Sequence, residues 1–169
     1  VDKKLKITTI CVVSMLFLSG CSGEASMEPS SNEPRNMNRA QMEKEYASAI
    51  QSLDMPEGVS YPDAPKTPTV DGVKESDVTW QNGAGEADAI IDWNCLWGHE
   101  WLKYQGKDQK LATNALNMYK SILDQPAFNK YFDAESFQPV IRENIEKAEL
   151  GDPSGIKADM QSSCRGDLW

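Results

Sequence analysis

The stretch EADAIIDWNCLWGHEWLKYQ, residues 86 to 105, constrains the fold of this chain more than any other. Wound at about 100° per residue, it separates into two faces. Asp88, Asp92, His99 and Lys103 share a narrow polar stripe, while Ile90, Ile91, Trp93, Asn94, Cys95, Trp97, Trp101 and Leu102 cover a wide arc opposite, more than half of the circumference. A surface helix needs one apolar side only, so a helix this apolar is packed on two or three sides. The segment is expected at the centre of a helix bundle.

Shorter helices are predicted around it. Met42, Tyr46, Ala49, Ile50 and Leu53 recur at helical spacing in MNRAQMEKEYASAIQSL, with Asn38 as the N-cap. KDQKLATNALNMYKSILD puts Leu111, Ala115, Met118, Tyr119 and Ile122 on one face, and ESFQPVIRENIEKAEL does the same for Phe137, Val140, Ile141, Ile145 and Ala148. Pro139 is tolerable only near a helix start, Gly151 is a stop, and QPAFNKYF reads as a short turn of helix. In DPSGIKADMQSSC, Asp152 is the expected N-cap with Pro153 at the first helical position. Ile156, Met160 and Cys164 follow at intervals of four, so Cys164 is expected to end that helix's buried stripe. The fold class is therefore all-α, a small bundle of four to five helices over residues 37–169.

Residues 54–84 do not fit this pattern. Pro56, Pro62, Pro65 and Pro68 break them, and only DVTW hints at an extended piece. An irregular segment of that length is unusual inside a compact domain. A strap that docks Val59, Tyr61, Val78 and Trp80 onto the helices and a mobile loop both remain open.

The first residues carry an address. VDKKLKITTICVVSMLFLSGC has a basic start at Lys3, Lys4 and Lys6, an apolar run from Ile7 to Leu18, and small residues before a cysteine, the anatomy of a secretory signal peptide. As a helix the run would be roughly 18 Å long, short of the roughly 30 Å hydrocarbon core. The segment Leu18 to Cys21, LSGC, resembles the lipobox of bacterial lipoprotein precursors. That resemblance implies cleavage after residue 20 and a diacylglycerol on the thiol of Cys21, with further acylation anchoring the chain to the extracytoplasmic face of the cell membrane. Acyl chains contribute about 0.8 kcal/mol per buried methylene, and two chains give stable attachment. Residues 21–36, small, polar and proline-punctuated, are expected to be a flexible tether.

Processing changes the cysteine and charge inventory. Cys11 leaves with residues 1–20 and Cys21 is lipidated, so Cys95 and Cys164 remain, and an even pair in an exported protein reads as a disulfide. Free buried thiols or a catalytic thiol are the alternatives. Loss of Lys3, Lys4, Lys6 and Asp2 leaves 14 of 17 basic and 25 of 26 acidic side chains, a formal charge of about −11. That charge disfavours nucleic acid and anionic headgroups, both of which need basic patches.

Few residues carry a chemical signal. Trp93, Trp97 and Trp101 form an aromatic ridge that could stack on sugar rings of a cell-wall glycan or receive a partner's apolar side chains. The same ridge at helical spacing is more often ordinary core, and if any of the three reaches solvent it is Trp93, nearest the polar boundary. His99 and Glu100 lack the second histidine that a zinc-binding HExxH helix needs. Asp88, Asp92 and His99 could hold a divalent ion only if another loop added ligands, and are otherwise solvated, with Asp92 and Lys103 available for weak ion pairing. No serine sits in a GxSxG elbow, no glycine-rich phosphate loop is present, and no cofactor is implied. The expected function is a non-enzymatic binding or interaction module at the bacterial envelope, its partners the membrane through the lipid and an envelope protein or cell-wall glycan. An envelope hydrolase working through carboxylates or a metal on the Asp88, Asp92 and His99 stripe is the alternative.

Overall fold

The computed structural model describes residues 36–169 except residues 68 and 70. The segments expected to be a signal peptide, a lipobox with Cys21 and a tether lie, but for Asn36, outside the described residues.

A two-residue strand, β1 (Asn36–Met37), leads into α1 (Arg39–Ile50). Asn38 caps α1 as expected and completes a capping box: its Oδ1 accepts from Gln41 N at 3.0 Å, and Gln41 Oε1 accepts from Asn38 N at 2.9 Å. Met42, Tyr46 and Ile50, one turn apart in succession, are buried. β2 (Trp80–Gln81) pairs antiparallel with β1 and delivers the chain into α2 (Ala84–Tyr104).

α2 is the centre of the bundle, packed against α1, α3 (Gln109–Lys120), α4 (Pro126–Tyr131) and α6 (Ser154–Ser162), while α5 (Phe137–Glu149) covers α3 and α6. The wide apolar arc explains this placement, because every part of it finds a neighbour. Gly85 permits the close crossing of α1 and α2: a Cβ there would lie 2.4 Å from the Met42 carbonyl oxygen. Glu45 of α1 also caps α2, its carboxylate accepting from Gly83 N at 3.1 Å and Gly85 N at 2.9 Å. No helix among the described residues is long and apolar enough to cross a membrane.

Several faces differ from the expected ones. α4, six residues long, is the short piece of helix expected in QPAFNKYF, but other residues face differently. Leu111 and Val140 are largely exposed. On α3 the buried face is Ala112, Ala115 and Tyr119, turned by one residue so that small side chains meet the neighbouring helices and Leu111 in the first turn is left outside. On α5 the buried face runs through Gln138, Ile141, Asn144, Ile145 and Ala148, which puts Val140 on its flank. Gly151, at φ 81°, ends α5 as expected. Asp152 accepts from Ser154 N at 2.9 Å at the start of α6. α6 stops at Ser162, so Cys164 lies just past the helix and not on its stripe. It still reaches Cys95: the two form the expected disulfide, with Cα atoms 5.8 Å apart.

The segment between α1 and α2 is a strap fastened by two arginines. Arg39 Nη1 donates to the Pro65 carbonyl at 2.6 Å and to Thr67 Oγ1 at 3.2 Å, and Arg165 Nη2 donates to the Asp63 carbonyl at 2.6 Å. A short 3₁₀ turn at Glu75–Asp77 precedes β2. Val59 and Trp80 pack against the core as anticipated, Val78 is partly buried, and Tyr61 stands out in solvent.

Candidate functional site

The tryptophan ridge is core. Trp93, Trp97 and Trp101 are 1%, 7% and 3% exposed, and the indole Nε1 atoms of Trp93 and Trp97 both donate to the Asp54 carbonyl, at 2.7 and 2.9 Å. Two buried indoles thus satisfy their donors on the backbone that opens the strap. None of the three reaches solvent, and Trp93, placed nearest the polar boundary, is the most deeply buried. Its polar neighbour on the helix, Asp92, is itself covered by the C-terminal segment, so no open polar boundary exists beside it.

Asp92 is the centre of that cover. It is 3% exposed rather than solvated. Tyr46 Oη donates to its Oδ2 at 2.7 Å, and Arg165 Nε reaches Oδ1 at 3.1 Å and Oδ2 at 3.0 Å. The second arm of the guanidinium lies 2.9 Å from Oδ2 and extends to the Asp63 carbonyl, while Nη1 faces Asp167 at 3.3 Å. Burial pushes the Asp92 carboxyl up, and the bonds from Arg165 and Tyr46 pull it back. Burial raises the Tyr46 hydroxyl in turn, and the Asp92 carboxylate raises it further. One turn earlier on α2, burial pushes the Asp88 carboxyl up to about 6, with the Asp92 charge adding and Arg165 opposing.

The third member of the expected stripe has a different neighbour. The His99 ring stacks on Trp169, centroids 5.0 Å apart and planes within 2°. Lys103 pairs with Glu100 at 2.9 Å and not with Asp92. Among the described residues no three or more His, Cys, Asp and Glu side chains gather to hold a metal ion.

The arginine clasp leaves the strap as a ridge between two grooves. On one side Tyr61, Asp63, Lys66, Arg165, Asp167 and Trp169 line a space of about 520 Å³. On the other, Tyr61 and Asp63 face Arg39, Glu43, Tyr46 and Gln51 of α1 and its end across about 550 Å³. Tyr61 and Trp169 are each about half exposed, so the aromatic surface open to a partner lies here and not on α2. Sequence reasoning missed Arg165 and Trp169, and expected Tyr61 to dock onto the helices rather than stand exposed. A signal for Arg165 was present: it follows Cys164, and Asp92 lies one turn before Cys95, so the disulfide itself brings that arginine to that carboxylate.

The fold and this site define an all-α bundle with one disulfide and a clasped strap. No protein-family model matches the chain, and no curated protein or solved structure matches it significantly.

Proposed function

We propose that this chain is a lipid-anchored protein of the extracytoplasmic face of a bacterial membrane, and that it works as a non-enzymatic binding module. The LSGC segment behind a basic and then apolar stretch like a signal sequence carries the anchor half of the reading. The Cys95 to Cys164 disulfide suits an oxidising compartment. The binding half rests on one observation: Tyr61 and Trp169 stand exposed around a groove whose charged groups, Asp63, Lys66, Arg165 and Asp167, make a mixed polar rim. Aromatic anchors in a polar rim are the composition of protein recognition surfaces. An envelope protein is the partner this surface favours over a glycan.

The hydrolase alternative draws on the Asp88 carboxyl, raised by burial and by the neighbouring Asp92. It is the weaker reading, because Asp92 is occupied by Tyr46 and Arg165 and His99 lies flat against Trp169.

A photo-crosslinking amino acid placed at Tyr61 in living cells tests the binding reading, with the same group at Leu150, fully outside the groove, as the control. A discrete adduct with one envelope protein from position 61 and none from 150 is the expected result. Equal adducts from both positions would contradict it.

A further inference from the structure

Trp169 is exposed and yet held in place. Leu168 before it is buried against Cys95 and Leu96, and the Trp169 ring stacks on His99 with centroids 5.0 Å apart. The ring is still about half exposed, so the face turned away from His99 is open to the groove beside the strap. Tyr61 lines the same groove, about half exposed, two residues before the point where Arg165 fastens the strap at the Asp63 carbonyl. An aromatic face carries negative potential, so open rings fixed in this way favour a cationic guest over an anionic one.

The charges around the groove point the same way. Arg165 has little positive charge to spare: Asp92 and Asp167 lie 2.9 and 3.3 Å from it, and Asp88 lies within its field. Arg39, across the strap, is paired with Glu43 at 2.6 Å. Asp63 is different. Its backbone carbonyl holds the strap, but its exposed carboxylate has no hydrogen bond or ion pair among the described residues. Lys66 is the opposing charge on this rim, and the acidic balance of the chain, a formal −9, outweighs it at longer range. A guanidinium can lie flat on an aromatic face while its edge pairs with a carboxylate; an ammonium is a point charge without that planar match.

Taking the strap groove as the binding surface of the proposed function, we propose that it receives an arginine side chain of the envelope protein it binds, the guanidinium lying on the open face of Trp169 and pairing with the Asp63 carboxylate. Tyr61 covers the apolar stem of that side chain. The space of about 520 Å³ accommodates the side chain together with the backbone on either side of it. Arginine is also among the residues enriched where protein partners meet.

The test uses the full chain in detergent solution, titrated with acetyl-Gly-Arg-Gly-amide and its lysine, leucine and glutamate counterparts and followed by NMR of the Trp169 indole N–H. The expected result is a saturable shift with the arginine peptide at millimolar concentration, about fivefold tighter than with the leucine or glutamate peptide and tighter than with the lysine peptide. The arginine δ-methylene protons should move upfield under the ring current of Trp169, and W169L should abolish that movement. D63N should weaken the arginine peptide about threefold and K66M should tighten it. Because Arg165 holds the Asp63 carbonyl and not its carboxylate, D63N leaves the strap fastened. An arginine peptide that binds no better than the other three, or that is indifferent to D63N, would overturn the proposal. If the crosslink from Tyr61 still gives its discrete adduct, that failure concerns the arginine alone; equal adducts from Tyr61 and Leu150 would show that the binding reading had failed with it.

Discussion

Arg165 lies across Asp92 with Nε within 3.1 Å of both carboxylate oxygens, and the same guanidinium holds the strap at the Asp63 carbonyl. A residue just past the last helix thus fastens two segments at once, the central helix and the strap. Truncating it leaves a buried carboxylate with Tyr46 as its remaining partner. Because Arg165 keeps some solvent access, R165M should cost about 2 to 3 kcal/mol, below the roughly 3 to 5 kcal/mol of a fully buried pair. D92N combined with R165M should cost less than the sum of the single changes, since neither charge is then orphaned. Urea unfolding of the four proteins checks this, and strictly additive costs would contradict it.

The pH dependence of stability follows from Asp88. Its carboxyl titrates at about 6 in the folded chain against an ordinary value of 3.8, so the folded state holds the proton more tightly than the unfolded state does. The stability it contributes is full below about pH 4 and is lost as pH rises through about 6. D88N keeps a neutral side chain at every pH. It should therefore raise stability at pH 7 by about 2 kcal/mol and flatten the slope between pH 4 and 6. Melting temperatures of both proteins across that range decide the matter, and parallel curves would exclude the assignment.

Gly85 separates propensity from packing. On helix propensity alone G85A gains about 1 kcal/mol. The Met42 carbonyl, 2.4 Å from the added Cβ, forces α1 and α2 apart instead. A loss of about 2 kcal/mol is expected from such overpacking, and a higher melting temperature for G85A would mean that the crossing is looser than described.

Reduction of the disulfide should loosen more than the loop it closes. Cys95 and Cys164 are 69 residues apart, and in the loop-entropy view such a link is worth about 4 kcal/mol. Cys164 also positions Arg165, so C164A should speed amide hydrogen exchange across residues 58–66 more than across α3. Uniform acceleration along the chain would show that the strap is held independently of the disulfide.

How much of this was legible in the sequence depended on whether the signal was local. The centrality of α2 was readable because twenty consecutive residues carry an arc that no single neighbour can cover. The Asn38 capping box and the Gly151 stop were readable because capping acts within one turn. The disulfide was readable by elimination among four cysteines. The strap was not, because its fastenings run from Arg39 and Arg165 to backbone carbonyls, and such bonds leave no periodicity in the chain. Asp92 looked like a solvated side chain for the same reason: a carboxylate on a polar stripe is exposed until a distant arginine covers it. Leu111 and Val140 were misplaced because a face can turn by one residue wherever small neighbours such as Ala112 pack more closely.

The central claim, an anchored module outside the cytoplasmic membrane, is tested most directly at its N-terminus. Mass spectrometry of the protein extracted from the membrane fraction should find Cys21 as the first residue, carrying a thioether-linked diacylglycerol, with a C21S variant left uncleaved and free of lipid. A mature protein that starts elsewhere with Cys21 unmodified, or a C21S variant cut and anchored like the native chain, would contradict the account.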